Sequence, residues 1–121
     1  MTPHWHAYTY TGPSRPRDSD ARNPAAAAPP LVIAEWPGKP LSMLAGTFTT
    51  AEAALDWLAQ QLAETPPLPT ALPAAAILAH ARARLAAHPA DEVTRYYTAG
   101  SYVARDLVRC TGRCPAPPAG D

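Results

Sequence analysis

The stretch Phe48-Thr49-Thr50-Ala51-Glu52-Ala53-Ala54-Leu55-Asp56-Trp57-Leu58-Ala59-Gln60-Gln61-Leu62-Ala63-Glu64-Thr65-Pro66-Pro67 decides how the chain folds. Thr49 stands three residues before Glu52, the spacing of a capping box in which hydroxyl and carboxylate each satisfy a backbone amide that a helix start leaves orphaned. Ala51, Ala54, Leu55, Leu58 and Leu62 then recur at helical spacing, while Glu52, Asp56, Gln60 and Gln61 fall largely elsewhere. Pro66-Pro67 stops the helix. The pattern predicts an amphipathic helix from about Thr50 to Glu64, with Phe48 packed at its start. A cap contributes about 1 kcal/mol, so burial of the leucine stripe has to supply most of its stability. Trp57 lies off that stripe, and in a small domain burial is the expected fate of so large a ring.

Two apolar runs precede the helix. Leu31 to Trp36 and Leu41 to Phe48 flank Pro37-Gly38-Lys39-Pro40 and read as a hairpin, since proline followed by glycine suits a turn. Gly46 marks a bulge or a close backbone approach in the second run. After the helix, Ile77, Leu78, Ala81 and Leu85 form the apolar stripe of a second helix, about Leu72 to His88. Proline is tolerated there in the first turn, and Pro89 ends it. A last hairpin, Val93 to Ala99 and Tyr102 to Cys110, follows from a Gly100-Ser101 turn. That register sets Arg95 opposite Asp106 and Tyr96 opposite Arg105, an ion pair and a cation–π pair. Trp5 to Thr11 alternates as a strand, with Trp5, Ala7 and Thr9 on one side and His6, Tyr8 and Tyr10 on the other.

The expected fold is α+β, in the order β-β-β-α-α-β-β: an antiparallel sheet of about five strands with two helices on one face. Residues 1–110 would form a single domain. Residues 14–30, rich in proline and alanine without a sustained period, would be a flexible loop, and residues 111–121 a flexible tail.

Ten basic and ten acidic side chains cancel, so no global field draws in nucleic acid or an anionic membrane. No run approaches the roughly 20 apolar residues that span a bilayer, and the opening residues have neither the basic start nor the apolar run of a secretory signal. A cytoplasmic location is the expectation, with Cys110 and Cys114 as free thiols. Arginine in nine of the ten basic positions, with abundant alanine and proline, matches GC-rich codons. Eighty to ninety packed residues leave little volume to enclose a large cofactor, and none is expected.

Candidate chemistry is sparse. No Gly-x-Ser-x-Gly elbow or phosphate-cradling glycine loop is present, so no catalytic residue is assigned and an enzyme is not expected. Arg95, Tyr96, Tyr97, Tyr102, Arg105 and Arg109 put guanidinium and aromatic groups on one hairpin, a combination that stacks on bases and contacts phosphates. If the first strand neighbours that hairpin, Tyr8, Tyr10, Tyr96 and Arg105 form an exposed patch on the free sheet face, the leading binding site. His4, His6, Cys110 and Cys114 have the types and the Cys-x3-Cys spacing of a two-His, two-Cys zinc set, although nothing in the sequence makes the two pairs meet.

The aromatic opening, Gly46-Thr47-Phe48, Ala54-Leu55-Asp56-Trp57-Leu58 and Tyr102-Val103-Ala104-Arg105 together resemble small actinomycete proteins of no established activity, some associated with plasmids or other mobile elements. The resemblance implies no site residues. The functional expectation is a non-catalytic module or accessory factor whose partner is another protein, or a second copy of itself. The alternative is a nucleic-acid-binding protein that uses the aromatic and arginine hairpin; a small metal-binding protein or an enzyme ranks a distant third, and no metal site is assigned to His4, His6, Cys110 and Cys114.

Overall fold

The computed structural model describes residues 4–87, 91–110 and 114. Among the described residues, four strands form one antiparallel sheet: β1 (Trp5–Gly12), β2 (Leu44–Phe48), β3 (Arg95–Thr98) and β4 (Ser101–Arg109), in the order β2-β1-β4-β3. Three α-helices accompany it: α1 (Asp18–Arg22), α2 (Ala51–Glu64) and α3 (Ala74–Ala87). The α+β class and the helix pair stand, with four strands in place of five.

Helices α2 and α3 cover one sheet face. Ala54, Leu55, Leu58 and Leu62 from α2 and Ala81 and Leu85 from α3 pack on Trp5, Ala7, Tyr96, Val103 and Leu107. Burying each leucine contributes about 1.5–3 kcal/mol, so this stripe outweighs any cap. The cap itself falls one residue later than the sequence suggested. Thr50, not Thr49, is the N-cap, its hydroxyl accepting from the Ala53 amide at 3.1 Å. Phe48 ends β2, and the turn into α2 takes both threonines. Trp57 is half-buried at the rim of this core, its ring centroid 6.2 Å from that of Phe48.

The second face is also covered, which the sequence did not suggest. Leu31 to Trp36 is no strand: Ile33–Gly38 and Leu41–Met43 are 3₁₀ turns, and only Leu44–Phe48 joins the sheet. Pro37 and Pro40 lack the amide that a ladder needs, so the segment folds back over the sheet. Trp36 stacks on Tyr8, with centroids 4.5 Å apart and planes within 12°, and Met43 and Val108 complete this second core. Its indole donates to Asp106 Oδ2 at 3.0 Å. The same carboxylate accepts from Arg95 at 2.8 Å and from the Thr94 amide at 3.2 Å. Residues 14–30 contain α1 and are tied to this layer by Lys39. Its buried ammonium donates to the carbonyls of Asp20, Asn23 and Ala26, at 3.2, 2.8 and 3.4 Å.

Register refines the hairpins. Gly100 comes second in the β3–β4 turn, with φ +80°, and Thr98 pairs with Ser101. Tyr96 therefore opposes Val103, and Arg95 opposes Ala104. The Arg95–Asp106 ion pair still forms, as a diagonal contact on the same face. Gly46 does lie at an irregularity: Ala7 pairs with Gly46 but Tyr8 pairs with Leu44.

Candidate metal centre

Strand alternation divides the expected binding patch. Tyr8 and Tyr10 point to the layer built on Trp36, whereas Tyr96 and Arg105 point to the helices. Tyr8, Tyr96 and Arg105 are buried and Tyr10 is half-buried, so the four form no exposed surface. The polar atoms of Tyr96 and Arg105 are engaged in the fold. The Tyr96 hydroxyl donates to the Thr65 carbonyl at 2.6 Å. Arg105 donates to Gln61 Oε1, to the Tyr10 and Ala104 carbonyls and to Thr11 Oγ1. A guanidinium spent in this way pins α2 to the centre of the sheet and has little left for a phosphate.

The two-His, two-Cys set does come together. β1 runs antiparallel to β4 with Trp5 opposite Arg109, and the Cys110 amide extends the ladder to the His4 carbonyl at 2.9 Å. His4 and His6 share a strand face because they are two residues apart, and Cys110 lies opposite His4 in the same register. Cys114 follows from the segment beyond β4. One ligand atom from each of the four residues lies within 4.8 Å of the other three. Cys114 Sγ is 3.4 Å from His4 Nε2 and 3.6 Å from His6 Nε2. Zinc bonded tetrahedrally to nitrogen at about 2.0 Å and sulfur at about 2.3 Å sets each nitrogen about 3.5 Å from each sulfur. Both Cys114 distances match that spacing, and the donor types of the whole set suit zinc.

Surrounding groups orient the donors. His6 Nδ1 is bonded to Thr47 Oγ1 at 3.0 Å, which leaves Nε2 on the side of Cys114. Such a partner on the second ring nitrogen is how a ligating imidazole is fixed in tautomer and direction. Burial, then the neighbouring His4, lowers the His6 pKa, which favours the neutral ring, the form that binds metal. The His4 ring meets the His6 ring edge-on, with centroids 4.9 Å apart. A cavity of 640 Å³ opens beside His6 and Cys110.

Thr47 carries no sequence signal of this role. It becomes visible only once β1 and β2 are paired, which places it opposite His6. Comparison with protein-family models, curated proteins and solved structures gave no match. Fold and site together describe a small α+β domain with two covered sheet faces and a two-His, two-Cys cluster at one end of its central strands.

Proposed function

We propose that the chain is a zinc-binding protein whose His4, His6, Cys110 and Cys114 clasp one ion, and that this clasp serves a non-catalytic module. The observation that carries the reading is the convergence of four zinc-type ligand atoms within 4.8 Å from opposite ends of the sequence. Two imidazoles and two thiolates suit zinc better than the oxygen-seeking magnesium or calcium. Four protein ligands fill a tetrahedron and leave no position for a reactive water, which is the pattern of a structural rather than a catalytic ion. Binding would tie the segment beyond β4 back to β1. The binding free energy would thereby add to fold stability.

The test is metal analysis of tag-free protein purified without chelator, with zinc supplied during expression. One zinc per chain is expected, with Cys110→Ser and His6→Ala each losing most of it. The helix-face core uses none of these residues, so the variants should keep their helical circular dichroism. Metal content near zero in the unmutated protein contradicts the proposal.

A further inference from the structure

Several of the exposed large apolar side chains gather in one place. Leu68, Leu72, Val93 and Tyr97 are all exposed and all line one cleft of 480 Å³ between α3, residues 68–72 and the sheet edge at residues 92–97. The volume is that of a small-molecule site. The cleft belongs to the helix face of the sheet, opposite the face that carries His4 and His6, and does not depend on the metal reading.

Its floor is polar and incompletely bonded. Glu92 and Thr94 are buried, and neither Glu92 Oε2 nor Thr94 Oγ1 has a hydrogen-bond partner among the described residues. Glu92 Oε2 keeps an ion-pair contact with Arg84 Nε at 3.1 Å, and Oε1 stands 3.7 Å from His80 Nε2. Buried polar atoms without a partner are uncommon, and Thr94 Oγ1, unbonded beneath this apolar rim beside a Glu92 carboxyl held only by ion-pair contacts, calls for an occupant. A carboxylate only accepts, so the complementary group is a donor.

We infer that this cleft binds a small apolar molecule bearing a hydroxyl or amine. The apolar body lies against Leu68, Leu72, Ile77 and Tyr97, and the donor reaches Glu92 and Thr94. Burial raises the Glu92 pKa, the mark of a carboxyl group poorly served by its own surroundings.

The experiment uses the full chain, isotopically labelled, titrated with benzyl alcohol, benzylamine and toluene while amide resonances are followed. The first two should shift Ala71, Val93 and Tyr97 saturably and bind about fivefold tighter than toluene, the advantage one net hydrogen bond carries. Thr94→Val should cut that advantage to about twofold or less, as expected when one such bond is lost. Leu72→Ser, on the exposed rim, should weaken all three probes while leaving the fold intact. Absence of saturable shifts at these residues, or toluene binding as tightly as benzyl alcohol, overturns the inference.

Discussion

Replacing Asp106 by alanine should release the layer built on Trp36 from the sheet. The Asp106 carboxylate is fully buried and accepts from the Trp36 indole, the Arg95 guanidinium and the Thr94 amide, so it joins the Trp36 segment to the β3–β4 hairpin. A hydrogen bond to a charged group contributes about 1.5–3 kcal/mol, but three that share one carboxylate do not add. Breaking a buried ion pair by deleting one partner costs about 3–5 kcal/mol. Arg95 keeps 24 % of its side chain exposed, and water there recovers part of the lost solvation. The expected loss is therefore at the lower end, about 3 kcal/mol, a large share of the 5–15 kcal/mol that holds a small domain together. Asp106→Asn should cost less, about 2 kcal/mol, because its oxygen can still accept from Thr94. Urea unfolding gives both values. Trp36→Phe in the same background completes a double-mutant cycle: the indole bond should appear as a coupling of about 1 kcal/mol. A loss below about 1 kcal/mol for Asp106→Ala would refute the claim that this carboxylate locks the layer.

The cap assignment separates two adjacent threonines: Thr50→Ala should cost about 1 kcal/mol and Thr49→Ala almost nothing, measured by thermal unfolding, and equal effects would restore the Thr49 capping box. Lys39→Met removes the donor to three carbonyls and should cost about 2 kcal/mol, with amide exchange accelerated in residues 18–28 but not in α2. Glu92 has a folded-state pKa raised by burial, against the opposing pull of His80 and Arg84. The folded state therefore holds this proton more tightly than the unfolded chain does. Stability from that proton is complete below the unfolded carboxyl pKa and is lost as pH rises through the raised folded value. Stability of the unmutated protein should accordingly gain on that of Glu92→Gln as pH falls from 7 toward 5; the reverse trend in urea midpoints would contradict the burial argument.

Periodicity made the helices legible. Leu55, Leu58 and Leu62, with Ile77, Ala81 and Leu85, read as two stripes and pack as two stripes, because a side-chain period of 3.6 is a local property. The layer over the second face was not legible. Leu31 to Trp36 is as apolar as a strand, and only its pairing, denied by Pro37 and Pro40, shows that it is something else. The patch expected of Tyr8, Tyr10, Tyr96 and Arg105 failed on register as well: alternation within β1 was read correctly, but the pairing of Thr9 with Arg105 puts Tyr8 and Tyr10 on one sheet face and Tyr96 and Arg105 on the other, and no local rule sets that pairing. The four residues of the proposed zinc site were nameable by residue type. Their meeting depends on the antiparallel register of β1 and β4, a contact across more than 100 residues that spacing within either segment does not encode.

The central claim is that His4, His6, Cys110 and Cys114 hold one zinc ion, and X-ray absorption at the zinc edge of the purified protein tests it most directly. Two nitrogen neighbours at about 2.0 Å and two sulfur neighbours at about 2.3 Å are expected, with the sulfur contribution halved in Cys114→Ser. A shell of oxygen atoms, or protein that retains no zinc to measure, would contradict it.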